Sequence, residues 1–334
     1  METSPESRAA RIVASIERAG DALVGARANP LRQLGAIGFD LFWLVIATGT
    51  YLYAWFDTSV GGAYLSVQNM TGGWAPFSFS GLVRSLHRYG SDALVIVIGL
   101  HLLREAALGR FRFFRRFSWL SGLPTIVLIA AAGIGGYALV WDAVAQWIGV
   151  GTAEWFAVLP GFADDMVRNF TSPEAMTDRF FSLLVFLHIG VSLLLLAAMW
   201  VHIQRLSHAR TGADNGLRVM LLLGLIGLAL VFPAQSHAPA DARTQLFELA
   251  IDWFYLAVYP MLDALGPRTL WGVVAVAGIA LVLMAWTRGR TPLRAALVNL
   301  ADCNGCARCF ADCPYAAITM VPRRDGRSPP RSQV

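Results

Sequence analysis

The chain has 334 residues, of which 56% are hydrophobic and only 15% are charged, and its formal net charge is +5. A mean hydropathy of +0.53 and several long apolar runs exclude an ordinary soluble globular protein and predict a polytopic membrane protein. The arginines lie mainly in loops between the apolar runs, so the positive charge indicates membrane topology, and no nucleic-acid partner is expected.

Residues 1–33 form a polar, Arg-rich segment in front of the first apolar run. Helical periodicity from Arg8 to Val24 predicts an amphipathic helix. Two placements suit this helix equally well: on the membrane surface, or as a cap on the cytoplasmic side. The segment lacks a short apolar core with a small-residue cleavage site, so no removable signal peptide is expected.

Six apolar runs are candidate membrane spans. They are Leu34–Phe56, Phe79–Leu108, Trp119–Trp141, Phe180–His202, Leu217–Ala234 and Thr269–Trp286. Arginines flank one set of alternate span ends and acidic residues fill the other loops. The positive-inside rule therefore predicts that both termini lie in the cytoplasm. The expected location is a bacterial inner (plasma) membrane. We expect a four-span domain at 34–208, two further spans at 209–290, and a cytoplasmic segment at 291–334.

Two histidine pairs lie inside these runs. His87 and His101 are fourteen positions apart on the second run, and His188 and His202 are fourteen apart on the fourth. Fourteen residues span nearly four helical turns, or about 21 Å. Following the predicted topology, His87 and His188 fall on the outer side, and His101 and His202 fall on the cytoplasmic side. Intramembrane ionisable residues are usually functional, and imidazoles are common haem ligands. The pattern predicts two bis-histidine haems, of b type because C-x-x-C-H is absent.

Glycines repeat with the same spacing. Gly35 and Gly49 on the first run, and Gly122 and Gly136 on the third, are also fourteen positions apart. Small residues let neighbouring helices approach closely. We therefore expect these glycines to make room for the porphyrins.

Arginines near the predicted ligands are candidate partners of haem propionates, since Arg forms bidentate pairs with carboxylates. They are Arg84, Arg88, Arg104 and Arg179. For Arg104, a role as a positive-inside anchor is equally consistent with its position.

Several of these motifs, taken together, point to a known family. They are Thr48-Gly49, Arg84-x-x-His87-Arg88, Gly136-Tyr137, Trp141-Asp142 and Arg179-Phe180-Phe181. Residues 34–208 resemble the haem-bearing part of the cytochrome b family of quinol–cytochrome c oxidoreductases and their photosynthetic relatives. The resemblance implies an all-α four-helix di-haem bundle, with two further transmembrane helices here. It also implies quinone or quinol as substrate, Rieske or other iron–sulfur or cytochrome c subunits as partners, and a homodimer or multi-subunit complex.

Quinone chemistry is implied at two places. The family carries Pro-Glu-Trp-Tyr in its outer loop, where the Glu accepts a proton from quinol; this chain has Asp252 and Trp253 there, after Ile251. The alternative for Asp252 is a solvated loop acid. Ile148 replaces a smaller family residue beside the same site. Asp40, inside the first span, is a candidate proton donor to a quinone near the inner haem. Pairing with a nearby Arg, or a place in the haem propionate environment, is as consistent.

All four cysteines lie in one short run. Cys303-x2-Cys306-x2-Cys309-x3-Cys313 followed by Pro314 is the bacterial ferredoxin signature and predicts a [4Fe–4S] cluster. A zinc site, the alternative, usually has paired C-x2-C elements further apart. The fourth cysteine of such a run often ligates a second cluster, which this chain lacks. Cys313 could therefore complete its own cluster, or the cluster could be completed by a second copy or by another iron–sulfur subunit.

These features predict a subunit of a quinol oxidoreductase that carries electrons between the quinone pool, two haems and the cluster. A cytoplasmic ferredoxin or flavoprotein is then a further candidate partner. The second hypothesis is a membrane anchor and electron conduit for a cytoplasmic redox enzyme, with no quinol oxidation on the outer side. The Arg-, Pro- and Ser-rich tail at 323–334 is expected to be disordered.

Overall fold

The computed structural model describes residues 7–71, 78–112, 115–161, 176–204, 211–241, 251–287, 303, 305–313 and 318–321. Within these ranges the regular structure is helical, apart from one isolated antiparallel bridge between Asp142 and Pro239. The predicted all-α class is confirmed. The tail at 323–334 and parts of several charged loops used for the topology prediction lie outside the described residues.

Twelve α-helices lie in the described ranges, with a short 3-10 turn at Pro30–Arg32. They are α1 Arg8–Val24, α2 Leu34–Tyr53, α3 Ala63–Thr71, α4 Phe79–Ala107, α5 Arg116–Val140, α6 Ala143–Ala157, α7 Asp178–Gln204, α8 Asn215–Val231, α9 Trp253–Leu256, α10 Val258–Leu265, α11 Pro267–Met284 and α12 Arg308–Asp312. Each of the six predicted spans coincides with one of these helices.

Four of the described helices are long and apolar enough to cross a membrane: α2, α5, α7 and α11. Helix α8 is as apolar but has 17 residues. Helix α4 has 29 residues, and polar side chains in its first turns lower its mean hydropathy. Its length of about 43 Å exceeds the bilayer core of about 30 Å.

The centre of the bundle is one apolar core shared by five helices. Helix α2 packs along α4, α5 packs along α7, and α8 leans on α4. The side chains buried in this core are Ile37, Leu41, Phe42, Leu86, Leu94, Ile129, Leu195 and Leu225. A second apolar cluster joins α6 to α9, α10 and α11, and its buried members are Val144, Ile148, Leu256, Tyr259, Leu262 and Leu270. This second cluster holds the segment after residue 251 against the bundle.

A tight turn connects α5 to α6. Trp141 adopts the left-handed conformation, with φ of 53°, and ends α5. Asp142 then caps α6, its side chain accepting a 3.0 Å hydrogen bond from the Ala145 amide. Asp142 also accepts a bond of 2.9 Å from the His237 amide. The turn therefore binds the segment that follows α8 to the end of α5.

Helix α1 is fixed to the C-terminal end of α4. Glu17 is buried and accepts a 2.7 Å hydrogen bond from Arg104. Asp21 pairs with Arg32 at 2.6 Å, and this partner, with Asn29, lowers the pKa of Asp21 to about 2. Ile12 and Ile16 on the other face stay exposed. Both predicted placements of α1 remain consistent with this packing.

Candidate haem and quinone sites

Each of the four histidines lies against one of the four repeated glycines. A Cβ atom on Gly49 would stand 2.9 Å from His87 Cε1, and one on Gly35 would stand 3.3 Å from His101 Cε1. Helices α2 and α4 therefore run antiparallel, with one histidine near each end of the pair.

Helices α5 and α7 repeat this arrangement. A Cβ on Gly122 would lie 3.1 Å from His202 Cε1, and one on Gly136 would lie 3.2 Å from His188 Cε1. The glycines thus admit an imidazole ring against the backbone of the facing helix, at distances where any side chain would press on the ring. The fourteen-residue spacing of the glycines therefore matches that of the histidines because each glycine faces a histidine ring.

The ring nitrogen Nδ1 of two histidines has a backbone carbonyl partner, and a third histidine bonds the backbone of a facing helix. His87 Nδ1 lies 3.0 Å from the Val45 carbonyl, and His188 Nδ1 lies 2.9 Å from the Ala132 carbonyl. His202 bonds the backbone of Ser118. A carbonyl can only accept, so in His87 and His188 Nδ1 carries the proton and Nε2 keeps a lone pair. This is the tautomer that binds a metal through Nε2.

The spacing of one pair suits a shared metal ion. The ring centres of His87 and His188 are 6.4 Å apart. A metal–imidazole bond of about 2.0 Å, with roughly 1.1 Å more from nitrogen to ring centre on each side, separates two rings on one iron by ~6.2 Å. At the other end of the same helices, His101 lies against Gly35 and His202 lies against Gly122. The residues present therefore fit a bis-histidine haem.

Arg84 has protein partners. Its guanidinium is buried and donates to the Val67 carbonyl at 3.3 Å, to Ser236 Oγ at 2.8 Å and to Thr71 Oγ1. It ties α4 to α3 and to the segment after α8. Arg179 is exposed at the start of α7. The predicted propionate contacts of both arginines remain predictions.

Arg88 lies in a polar cluster at the His87 end of the bundle. It forms ion pairs with Asp92, one turn along α4, and with Asp252. Its Cζ atom stands 4.6 Å from the ring centre of Tyr137, and the Tyr137 hydroxyl donates a 2.6 Å hydrogen bond to Asp252. Asp252 is therefore held by side chains of α4 and α5. A freely solvated loop acid, the alternative for this residue, would have no such partners.

Trp253, the other residue predicted for the outer quinol site, is not part of this polar cluster. The Trp253 side chain is 75% exposed. Tyr255 lies inward instead, with its ring centre 5.7 Å from that of Tyr137 and its hydroxyl donating to the Ile129 carbonyl at 3.0 Å. Sequence reasoning missed Asp92 and Tyr255. The position of Asp92, four residues after Arg88 in an apolar span, was a usable signal.

Asp40 and Arg104 both have ionic partners. Asp40 accepts hydrogen bonds from Arg218 Nε at 3.0 Å and from the Ala213 amide at 2.8 Å. The sequence left two roles open for Asp40, as a proton donor or as the partner of an Arg. The structure shows the pairing with Arg218. Arg104 bonds both Glu17 and Glu105 at 2.7 Å, which suits an anchor of α1 at this end of α4.

The cysteine run is described in part, and Pro314 lies outside the described residues. Gly305 and Ala307, on either side of Cys306, have positive φ angles of 71° and 57°. Helix α12 carries Cys309. Among the described residues, no three His, Cys, Asp or Glu side chains converge as a metal site. The cluster therefore stays a prediction.

Comparison with known proteins identifies the family. The model of cytochrome b/b6/petB matches residues 21–210. Cytochrome b6 of Euglena gracilis is 31% identical over 157 residues, covering 46% of this chain and 72% of that protein. Cytochrome b6 of Synechococcus sp. (strain CC9902) is 31% identical over 171 residues, covering 50% of this chain and 77% of that protein.

A solved structure has the same fold. A chain of a hyperthermophilic respiratory Complex III superposes with a TM-score of 0.61 at 18% identity, covering 77% of this chain and 75% of that chain. The chain belongs to the cytochrome b family. It is accordingly an integral membrane protein of electron transport that binds haem b. The family match contains the four histidines predicted to bind haem, but it ends at residue 210, before Asp252 and the cysteine run.

Proposed function

We propose that this chain is the di-haem cytochrome b subunit of a bc-type or related respiratory complex. It transfers electrons between quinone or quinol and an iron–sulfur centre through two b-type haems. One observation carries the proposal: each of four histidine rings lies against a glycine on the facing helix. Bound haem supplies one-electron transfer.

The four histidines would hold two haems at opposite ends of the bundle. His87 on α4 and His188 on α7 would each offer Nε2 to the iron, because Nδ1 of each is bonded to a carbonyl. His101 and His202 lie about 21 Å further along the same helices. Two sites separated in this way suit electron transfer across a bilayer. The proposed orientation has both termini in the cytoplasm of a bacterial inner membrane, by the distribution of arginines.

Quinol oxidation is assigned to the Arg88–Tyr137–Asp252 cluster, beside the His87 site. Asp252 would accept a proton from a quinol hydroxyl, since a positioned carboxylate can serve as general base. Tyr137 orients the carboxylate through its 2.6 Å bond. Arg88 holds the same carboxylate from α4 through an ion pair. The base is thereby held ready at the edge of the bundle.

An iron–sulfur cluster is assigned to Cys303, Cys306, Cys309 and Cys313. The spacing is that of bacterial ferredoxins. The left-handed residues on both sides of Cys306 support it, because alternating backbone conformations form the concave amide nests found at many Fe–S sites. Such a cluster would exchange electrons between the proposed haem of His101 and His202 and a ferredoxin, a flavoprotein or another subunit.

Cofactor content tests the proposal. Haem should be measured as pyridine haemochrome, with iron, acid-labile sulfide and the EPR spectrum after reduction, on purified full-length protein. We expect two haems b per chain and four labile sulfides for each cluster. Protein purified without haem would contradict the whole proposal. Two haems without labile sulfide would contradict a cluster completed by this chain or its homodimer.

The alternative is an electron conduit for a cytoplasmic redox enzyme, without quinol oxidation beside the His87 site. One observation favours it. Ile148 is 1% exposed and packs with Leu256 and Tyr259, so a bulky apolar core occupies the space between α6 and the helices after Asp252. The Asp252 variant described below separates the two functions.

A further inference from the structure

The hydrogen bonds of the four histidines are not equivalent. The carbonyl that meets Nδ1 lies four residues before the facing glycine: Val45 before Gly49 and Ala132 before Gly136. The residue directly before each glycine therefore lies beside the same ring. These residues are Leu34, Thr48, Ser121 and Gly135. Two of the four carry a hydroxyl, one at each haem site.

We propose that Thr48 and Ser121 are positioning residues that each lower the redox potential of one haem, by giving one of its two ligands a second hydrogen-bond acceptor. This inference rests on the proposed function, because it requires haem between the histidines.

Thr48 shows the geometry. Its Oγ1 lies 2.7 Å from the Leu44 carbonyl and 3.1 Å from that of Val45, and 3.1 Å from His87 Nδ1. A hydroxyl has one proton, which is directed to a carbonyl of its own helix, so the lone pairs of Oγ1 face the imidazole. The Nδ1 proton of His87 is thus shared by the Val45 carbonyl and Thr48.

Ser121 repeats this geometry on α5. Its Oγ lies 3.3 Å from the Ser118 carbonyl and 3.0 Å from His202 Nδ1. His202 also bonds the backbone of Ser118. At each proposed haem site, one ligand therefore has both a backbone partner and a hydroxyl beside it. At the partner histidines the corresponding residues, Leu34 and Gly135, have no side-chain acceptor.

A second acceptor changes the metal through the ligand. Hydrogen bonding at the remote nitrogen raises the basicity of an imidazole ligand. A more basic ligand stabilises ferric over ferrous iron and so lowers the reduction potential. Because the hydroxyls lie at different sites, Thr48 should act on one haem and Ser121 on the other.

The test is a potentiometric titration of the purified, haem-loaded protein, followed in the visible spectrum. Thr48→Val and Ser121→Ala remove the hydroxyl, while Thr48→Ser and Ser121→Thr keep it. We expect Thr48→Val to raise the midpoint potential of one haem and Ser121→Ala to raise that of the other. The hydroxyl-retaining variants should stay near wild type.

Thr50→Val is the matched control. Thr50 makes the same type of bond to its own helix, to the Ile46 carbonyl at 2.9 Å, and is exposed. Its replacement should leave both potentials unchanged. Loss of one haem by Thr48→Val but not by Thr48→Ser would also support the role of the hydroxyl.

Three results would overturn the inference: unchanged potentials with two haems bound, equal shifts in Thr48→Val and Thr50→Val, or the same haem loss in Thr48→Val and Thr48→Ser. Wild-type protein without haem would instead overturn the proposed function, and pyridine haemochrome measured on every variant separates the two failures.

Discussion

Tyr137 donates a 2.6 Å hydrogen bond to Asp252, and this bond joins the core of α5 to a segment more than a hundred residues later in the chain. The same carboxylate pairs with Arg88 on α4. Three separate parts of the sequence thus converge beside the His87 site. A carboxylate held in this way can accept a proton at a defined position, which a mobile loop acid cannot do.

Asp252→Asn should slow quinol-driven haem reduction. The amide keeps the size of the side chain but removes the base, and loss of a general base typically costs about 100-fold or more in rate. The measurement is stopped-flow haem reduction by a quinol, with haem content checked first. Asp263→Asn, at an exposed acid on α10, is the control and should behave as wild type. Unchanged reduction in Asp252→Asn would favour the conduit function.

Tyr137→Phe should reduce the same rate by less. The variant keeps the ring stacked under Arg88 and removes only the bond to Asp252, so the base remains but is oriented less well. A lost hydrogen bond to a charged group costs about 1.5–3 kcal/mol. Tyr259→Phe, which loses the 2.7 Å bond to Thr152, controls for removal of a buried hydroxyl. Equal effects of the two variants would exclude a specific role for Tyr137.

Gly49→Ala should lower the haem content from about two per chain towards one. The added Cβ would lie 2.9 Å from His87 Cε1, closer than side-chain contacts allow, so the ring must move away from its carbonyl partner. Gly99→Ala is the matched control. Gly99 lies on α4 between the two histidines, with open space around the added methyl, and Ala in a helix is favoured over Gly by up to about 1 kcal/mol. Equal haem content in the two variants would contradict the role assigned to Gly49.

The sequence was sufficient to predict the contacts between residues that recur at a fixed interval along a helix. A fourteen-residue interval returns nearly to the same helix face, so the contacts of His87 with Gly49 and of His202 with Gly122 follow from spacing once two helices pair. The partners of Arg88 do not follow in this way. Asp252 is 164 positions away, and only the packing of α9 and α10 on α6 brings it close. For the same reason Tyr255, rather than Trp253, faces the cluster.

Cys306→Ser should remove acid-labile sulfide and leave both haems in place. Serine is nearly isosteric but lacks the thiolate that binds iron, and the cysteine run lies far along the chain from the helices that carry the histidines. Sulfide, iron and pyridine haemochrome should be measured on the same preparation. Gly305→Ala gives an independent variant, because its positive φ of 71° disfavours any residue with a Cβ; it should retain less cluster than wild type. If Cys306→Ser keeps the wild-type amounts of iron and sulfide, this run does not bind a four-iron cluster.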